Sequence, residues 1–572
     1  MGREFFEAKM CSEPDKCLTN RSEYSTIHRE EENESKRGNE GMGRIFGRTA
    51  VITAIVAAGT VFGWLYLESR KEQPRSASVG LTGADVVRES ADGQSGNLLK
   101  WWEDRLQAAE RNGKWDAAAD YAYRMAAYYR SADREKEAEH WYAASDAYRT
   151  KAEPRDNRFY DEALPSPQEV VLTPYVGVPA TENRQLAKFE PQSGAYLGMF
   201  GIFDYPAVEQ TFGRYHPIGL HYSGWRKDEN DTRNYFPTRT INSVKAAGAG
   251  GALQIGWEPQ YGLDAVKDDE YVRSFARQAK EAGIPIFLRY ASEMNGNWVP
   301  WYDEPQKYVE KFRLVSRIIK EEAPNVAMVW SPNFWPQDNI DAYYPGDEYV
   351  DWVGFSLYST PYYDGKEDFS KNQIDYFIPL YEKYKHKPIM IAEGAISHYN
   401  TKTNKSHAKW AEGQISIMYG FLPKMFPQVK AITYFNMSKS RSESLKSEFI
   451  YDIKENPLMY DQYRKLIQSD YFLTKVEQGT SAKENIRYVP LATASGLQGK
   501  HKLFVYPDMP FDSQPHSVAV FQGEKRLAVS YEVPWEVEID FSSLQADVPL
   551  TIVAYNGRQE TLARQSFDWS KR

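Results

Sequence analysis

Cysteine is almost absent from this 572-residue chain, and its two cysteines, Cys11 and Cys17, stand near the start. No disulfide can therefore hold the rest of the chain together. Two cysteines so close together without histidine partners also make a poor zinc site, and we predict no metal and no other cofactor. An excess of basic charge is lacking as well, because 70 basic residues face 79 acidic ones. A nucleic-acid partner would require a basic face, so none is expected.

Aromatic residues, by contrast, are abundant: they make up 14% of the chain, with 40 tyrosines and 15 tryptophans. Most aromatic side chains fill hydrophobic cores, but tyrosine and tryptophan also stack on the apolar faces of sugars. The composition therefore mildly favours a carbohydrate ligand.

Charged residues are missing from residues 49–67, TAVITAIVAAGTVFGWLYL. This run is close to the length that a helix needs to cross the hydrocarbon of a membrane, so it predicts a transmembrane anchor. We expect a cytoplasmic tail without fixed structure over 1–48 and a cell-membrane location, with a single pass and the remaining chain outside. Residues 1–41 are either part of that tail or an upstream mis-start, because the sequence from Met42 has the basic start and apolar region of a secretory signal.

Composition and periodicity divide the rest of the chain into modules. Residues 68–96 and 153–184 have the composition of linkers. Residues 97–152 carry aromatics and alanines at helical spacing, which predicts a tetratricopeptide-like helical hairpin and a surface for a protein partner. Residues 486–572 alternate strands and turns, which predicts a small β-sandwich. It either binds carbohydrate or packs on its neighbour, and we favour packing.

Residues 185–475 alternate short apolar runs with helical stretches, and eight such runs occur. This repetition predicts an α/β fold of the (β/α)8, or TIM, barrel type, in which functional residues gather at the carboxyl ends of the strands. The runs are AYLGMF (195–200), PIGLHYS (217–223), GALQIGWE (251–258), PIFLRYASE (285–293), VAMVWSPN (326–333), VDWVGFSLY (350–358), PIMIAEGA (388–395) and VKAITYFN (429–436).

Two glutamates at predicted strand ends are the candidate catalytic pair. Glu293 closes the fourth run and Glu393 lies near the end of the seventh, so the barrel brings them to one mouth. Such a pair can cleave a glycosidic bond with retention, one carboxyl group protonating the leaving oxygen while the other attacks the anomeric carbon. Arg289 and Tyr358 are candidate donors to the ionised partner. Glu258, at the end of the third run, is either a third active-site carboxylate or a structural partner of an arginine.

The motifs RYASEMNGNWVPW, VWSPN, YYPGDEYVDWVGFSLYS and PIMIAEGA together resemble glycoside hydrolase family 26, the β-mannanase family of the large barrel clan. FEPQSGAYLGMF and QIGWEP resemble its first and third strands. The resemblance implies Glu293 as general acid/base and Glu393 as nucleophile, with Tyr358 bonded to the nucleophile. The full set of residues expected to bind substrate is Arg289, Trp298, Trp301, Trp330, Tyr358 and Trp257. The family usually has histidine where Ser292 stands, which puts mannan as the substrate in doubt.

These observations predict a membrane-anchored, extracytoplasmic, retaining β-glycoside hydrolase that cuts within a β-mannan-like or related β-linked polysaccharide. The alternative is a catalytically weak or inactive glycan-binding or assembly protein of a cell-surface polysaccharide system. The separation of the two carboxyl groups discriminates between these functions.

Overall fold

The computed structural model describes residues 95–131, 134–151, 170–180, 184–202, 204–363, 366–367, 373–400, 405–437, 449–509 and 514–570. The predicted tail and the apolar run 49–67 lie outside these residues, and so does nearly all of the linker 68–96. Among the helices that are described, none has the length and apolarity required to cross a membrane.

Three helices form the first module: α1 (Ser95–Arg111), α2 (Trp115–Ser131) and α3 (Glu135–Lys151). The sequence predicted a hairpin of two helices, and this number was wrong. A separate helix precedes the pair because the chain turns at Gly113, whose φ of 63° lies in the left-handed region that glycine tolerates. Arg105 and Tyr121 bond to Asp461 of the barrel, at 3.3 and 2.6 Å, which ties the module to it. The expected protein partner of this module stays a prediction.

Eight parallel strands close into a barrel, as the sequence predicted. Each strand pairs with the next in chain order, and the last pairs with the first. A short parallel strand, β14 (Phe472–Leu473), also pairs with the first strand, at Ala195 and Tyr196. The barrel strands are β2 (Ala195–Phe200), β3 (Ile218–Gly224), β4 (Ala252–Glu258), β5 (Ile286–Tyr290), β6 (Val326–Trp330), β7 (Trp352–Ser359), β10 (Ile389–Ile396) and β13 (Val429–Phe435).

Helices and short hairpins fill the connections between the strands. A π-helical stretch, Ser416–Phe421, joins two of the helices without a break. The helices are α4 (Pro206–Phe212), α5 (Thr238–Ala247), α6 (Glu270–Glu281), α7 (Pro305–Glu322), α8 (Gln373–Tyr384), α9 (Ala408–Ile415), α10 (Leu422–Met425) and α11 (Pro457–Leu466). The hairpin strands are β8 (Tyr362–Tyr363), β9 (Lys366–Glu367), β11 (Tyr399–Asn400) and β12 (Lys405–Ser406).

The barrel strands are buried on both faces, and their alternation separates two cores. One face packs on the surrounding helices and the other fills the barrel. The interior core takes residues such as Phe287, Ala252 and Trp352 from successive strands. Residues an even number of positions further along a strand keep the same inward direction. Arg289, two positions beyond Phe287, and Glu258, six beyond Ala252, therefore face inward near the carboxyl ends of their strands.

The chain that follows the barrel, together with one strand that precedes it, forms two four-stranded antiparallel sheets. One has the order β15–β1–β16–β19 and the other β18–β17–β20–β21. Their bounds are β1 (Val171–Pro179), β15 (Ile486–Pro490), β16 (Lys500–Asp508), β17 (Ser517–Gln522), β18 (Lys525–Ser530), β19 (Val537–Asp540), β20 (Leu550–Tyr555) and β21 (Thr561–Phe567).

The predicted linker 153–184 is corrected by strand β1, because Val171–Pro179 lies between β15 and β16. Its prolines had argued against a strand, since proline cannot donate to a sheet ladder. Pro174 pairs in register with β16, where the pairing to β15 has not begun, and Pro179 pairs with β15 beyond the end of the β16 pairing. Each proline therefore has a strand on one side only.

A charged contact joins the C-terminal sheets to the barrel. Glu536 accepts hydrogen bonds from Lys424, at 2.6 Å, and from Tyr488, at 2.7 Å. Lys502 lies 3.2 Å from the same carboxylate. Burial alone would raise the pKa of Glu536, but the two lysines outweigh it and lower the pKa to about 2.

Candidate active site

Glu293 lies in a turn after β5, three residues beyond the last strand residue, Tyr290. Ala291 and Glu293 have φ values of 46° and 58°, in the left-handed region that non-glycine residues rarely occupy. The backbone is bonded on both sides: Ala291 N donates to Trp257 O (3.1 Å) and Glu293 N to Ser331 O (2.8 Å). Such strain persists only where surrounding contacts over-determine it, and it concentrates at functional sites.

The Glu293 carboxyl group accepts two hydrogen bonds from uncharged donors. Trp298 Nε1 lies 2.7 Å from Oε2, and Asn333 Nδ2 lies 2.9 Å from Oε1. Burial and the nearby negative charge of Glu393 raise the pKa of Glu293 above its ordinary value. A carboxyl group with a raised pKa can retain a proton for transfer, as a general acid must.

Glu393 faces the barrel interior because β10 carries a bulge. Ile391 is in register with Phe355 of β7 and Glu393 with Ser356, so that Ala392 is the extra residue. A bulge places two successive residues of one strand opposite one step of its neighbour and redirects the side chains that follow. Met390 and Ala392 already belong to the interior core. Glu393 therefore points inward as well, which strict alternation would forbid.

Three donors from three other strands surround the Glu393 carboxylate. Tyr222 donates to Oε2 and Tyr358 to Oε1, while Arg289 Nη1 lies 3.1 Å from Oε2. The Arg289 side chain has no exposed surface, and that of Glu393 is 12% exposed. A carboxylate held in this way is oriented and can accept hydrogen bonds but needs to donate none.

Arg289 is positioned by hydroxyl groups on neighbouring strands. Its Nε donates to Ser331 Oγ at 3.1 Å, and its Nη2 donates to Ser356 Oγ at 3.4 Å. A buried guanidinium is tolerated when its donors are satisfied and an anion lies beside it. The serines and Glu393 together meet these conditions.

Trp298 and Trp301, the two tryptophans that follow Glu293, have different environments. Trp298 is partly exposed, and its ring passes so close to Gly296 that a Cβ there would lie 2.0 Å from it. Trp301 is 5% exposed and donates from Nε1 to Ser292 O at 2.8 Å. Trp298 thus has surface available for a sugar, whereas Trp301 supports the turn.

The expectation that Trp257 and Trp330 bind substrate is wrong. Neither has exposed surface. Trp257 stacks on Phe275 of α6 with ring centroids 3.8 Å apart, and Trp330 packs against Tyr344. Both lie one position out of phase with the inward residues of their strands, so they face the helices and belong to the outer core.

Tyr222 and Asn333 contact the two glutamates, but sequence reasoning did not assign either a role. Tyr222 stands near the end of β3 and Asn333 follows β6 by three residues. Position at the carboxyl end of a barrel strand was the signal that could have identified both. Asn333 is oriented by Asn295, whose Oδ1 accepts from Asn333 N at 2.8 Å.

Glu258 ends β4 beside these residues. Its Oε1 accepts from Ser292 Oγ at 2.6 Å, and its Oε2 accepts from Ser292 N at 3.1 Å. Burial raises the pKa of Glu258 to about 8, although the bonds from Ser292 and the charge of Arg289 oppose the rise. The Ser292 hydroxyl group therefore donates its hydrogen bond to the Glu258 carboxyl group.

Two histidines near strand ends are wall residues. His221 Nδ1 lies 2.9 Å from Thr240 Oγ1, and burial lowers its pKa to about 4. Burial likewise lowers the pKa of His398 to about 4. Throughout the described ranges, no cluster of three histidine, cysteine, aspartate or glutamate residues is arranged to hold a metal ion.

Comparison with known families identifies the barrel. The family model described as glycosyl hydrolase family 26 matches residues 265–417, a stretch that contains both Glu293 and Glu393. This segment of the barrel is similar to glycosyl hydrolase family 26. The match lies entirely within the barrel, so the similarity to the family concerns that domain.

The curated relatives match the chain over part of its length. Endoglucanase H of Acetivibrio thermocellus is 29% identical over 260 residues, which cover 42% of this chain and 27% of that protein. A beta-1,3-xylanase of a Vibrio species is 29% identical over 131 residues, covering 22% of this chain and 26% of that protein. The chain therefore spans about a quarter of the length of these relatives.

The solved structures that match this chain include two mannanases. A modular endo-beta-1,4-mannanase from Cellulomonas fimi is 14% identical, with a TM-score of 0.35, covering 68% of this chain and 100% of that one. A beta-mannanase from Bacteroides ovatus is 15% identical, with a TM-score of 0.36, covering 50% of this chain and 92% of that one.

Proposed function

We propose that the barrel is a retaining β-glycoside hydrolase in which Glu393 is the nucleophile and Glu293 the general acid/base. In the first step the Glu393 carboxylate attacks the anomeric carbon while Glu293 gives its proton to the departing oxygen. Water, deprotonated by Glu293, then releases the sugar from Glu393.

The different environments of the two carboxyl groups carry this proposal. Glu393 accepts bonds from Arg289 and two tyrosines, which suits an anion that must be ionised and oriented. Glu293 accepts from uncharged donors and has a raised pKa, which suits a proton donor. Two carboxyl groups whose environments differ in this way divide into acid and nucleophile.

A β-linked polysaccharide cut within the chain is the proposed substrate. The relatives are named an endoglucanase and a beta-1,3-xylanase, and the structural neighbours are named mannanases, so the family name alone does not select one backbone sugar. Ser292 takes the place of the histidine that is usual next to the acid/base. Its hydroxyl group is bonded to Glu258, which supports a substrate other than an unmodified mannan.

Product stereochemistry tests the proposed reaction directly. The purified protein is incubated with β-mannan, β-1,3-xylan, mixed-linkage glucan and the exopolysaccharide of the producing organism, and the first products are followed by proton NMR. A retaining enzyme yields the β-anomer before mutarotation, whereas an initial α-anomer would contradict the double displacement. Oligosaccharides of mixed length as first products indicate endo action; release of single sugars alone contradicts it.

We also propose that residues 49–67 anchor the enzyme in the cell membrane, with the barrel outside. The support is the uncharged run itself. Cell fractionation and external protease treatment of cells that carry a C-terminal epitope test this proposal. The full chain should stay with membranes and lose its epitope to protease, while a chain starting after residue 75 and bearing a cleavable signal should be released.

A further inference from the structure

The turn that carries Glu293 is strained at two positions with one ordinary residue between them. Ala291 and Glu293 both have positive φ, at 46° and 58°, and Ser292 joins them. An alanine or a glutamate in this region crowds its Cβ against the backbone, so the turn relaxes unless outside contacts hold it. Because Ser292 lies between the two strained residues, contacts to its peptide groups can hold the turn.

Ser292 is held from both sides by groups that sequence reasoning did not connect. Its backbone N–H donates to Glu258 Oε2 at 3.1 Å, and its carbonyl oxygen accepts from Trp301 Nε1 at 2.8 Å. Its side-chain hydroxyl donates to Glu258 Oε1 at 2.6 Å. Both oxygens of Glu258 thus bind the same residue, which is itself 5% exposed.

Glu258 is placed for this contact by the ladder between β4 and β5. Gly256 is in register with Arg289, and Trp257 with Tyr290. Ala291 N donates to Trp257 O, so the ladder continues one step past the end of β5. The next residue of β4 is Glu258, whose carboxyl group reaches Ser292 across that step.

We propose that Glu258 is a positioning residue whose carboxyl group holds Ser292, and with it the strained turn that aims the Glu293 carboxyl group at the glycosidic oxygen. The proposal rests on the function proposed above, because it assigns Glu293 the proton transfer. The sequence left the role of Glu258 open. In this proposal Glu258 acts through Ser292.

The contact does not require a negative charge. Burial raises the pKa of Glu258, so that a protonated form is accessible near neutral pH. In that form one oxygen still accepts from Ser292 N, and the acid O–H donates to Ser292 Oγ. Glutamine can make the same two contacts, with its carbonyl oxygen to the backbone N–H and its amide N–H to the hydroxyl group. Alanine can make neither.

Kinetics with two leaving groups separate positioning from general damage. Wild-type protein, Glu258→Ala, Glu258→Gln and the control Glu281→Ala, an exposed residue at the end of α6, are assayed on phenyl and dinitrophenyl β-glycosides. Misplacing the acid should lower kcat/KM of Glu258→Ala about tenfold or more for the phenyl glycoside, which needs a proton, and much less for the dinitrophenyl glycoside. Glu258→Gln should recover most of the loss. Equal losses on both substrates, or no recovery with glutamine, would overturn the proposal.

Crystal structures of the same variants decide the positioning independently of turnover. In Glu258→Ala, we expect Ala291 and Glu293 to leave the left-handed region and Glu293 to lose its bond to Asn333. In Glu258→Gln, the turn should be unchanged. A protein that cleaves none of the substrates yet shows these changes would contradict the proposed function but support the positioning role. An unaltered turn in Glu258→Ala would contradict the positioning role, whatever the activity.

Discussion

Arg289 and Glu393 form an ion pair inside the barrel, with Nη1 of the arginine 3.1 Å from Oε2 of the glutamate. The pair joins β5, whose chain continues into the turn of Glu293, to β10, which carries the proposed nucleophile. One buried guanidinium thereby links the backbone elements that position both carboxyl groups.

Replacing Arg289 with methionine should destabilise the protein and remove activity. The change leaves the Glu393 carboxylate buried without its cation, and loss of one partner from a buried ion pair typically costs about 3–5 kcal/mol. Chemical denaturation followed by tryptophan fluorescence measures the free energy of unfolding. Arg277→Met is the matched control, because Arg277 pairs with Glu270 on the exposed face of α6. Equal effects of the two substitutions would contradict a special role for the interior pair.

Glu293→Ala should slow the cleavage of natural polysaccharide by roughly 10²–10⁴-fold, the usual contribution of a general acid. Formation of the glycosyl-enzyme from a dinitrophenyl glycoside should persist, since this leaving group departs without a proton. Azide can enter the space left by the side chain and attack the intermediate, yielding a β-glycosyl azide that NMR identifies. An α-glycosyl azide from this variant would show that the two roles are reversed.

Glu393→Ala should abolish turnover of polysaccharide and dinitrophenyl glycosides alike, because no covalent intermediate can form without the carboxylate. Mass spectrometry of protein incubated with a fluorinated mechanism-based glycoside provides the measurement. The wild-type protein should gain the mass of one sugar on the peptide containing Glu393, and the variant should gain none. Label on another peptide would place the nucleophile elsewhere.

Glu258 should make stability fall as pH rises. Its pKa is 4.5 in the ordinary case and about 8 in the folded protein, so the folded state binds the proton more tightly. The resulting stabilisation is complete below 4.5 and is lost progressively until pH passes about 8. Calorimetric melting temperatures of wild type and Glu258→Gln should therefore diverge in this window, with the glutamine variant gaining relative stability as pH rises. A constant difference would contradict the raised pKa.

Glu536 should have the opposite dependence. Its folded-state pKa of about 2 lies below the ordinary 4.5, so its contribution is present above 4.5 and is lost as pH falls toward 2. Glu536→Gln should be less stable than wild type at neutral pH, and the difference should shrink in acid. The double variant Lys424→Met with Glu536→Gln serves as control, because it removes Lys424 together with its partner, while Lys502 keeps Glu484 at 2.7 Å. A difference that grows in acid would contradict the assignment.

The barrel was predictable from sequence because eight apolar runs end in polar residues at regular intervals, and parallel strands buried on both faces require such runs. The positions of Glu293 and Glu393 near strand ends were predictable for the same reason. The direction of a side chain was harder to predict. Trp257 and Trp330 lie in motifs that resemble the family, yet the alternation of side chains along their strands turns them toward the helices. In β10, an extra residue turns Glu393 toward the barrel interior.

Other features depend on contacts between distant parts of the chain. The left-handed turn at Ala291 and Glu293 contains no glycine that would have predicted it from the sequence. Hydrogen bonds to Glu258, Trp301 and Ser331 hold it instead. Strand β1 was not predicted because it contains prolines. Its sheet accommodates them because the pairings to β15 and β16 each cover only part of β1. Local periodicity contains none of this information.

Strand β1 is made before the barrel, but it can join its sheet only after the barrel has been made. Its partners β15 and β16 leave the ribosome only after the entire barrel has been made, so the barrel is in effect a domain inserted into a β-sheet. Pairings so distant along the chain close late in folding. A chain truncated after β14 would thus contain the whole barrel but leave both edges of β1 without their partner strands, making that product a target for chaperones or proteases.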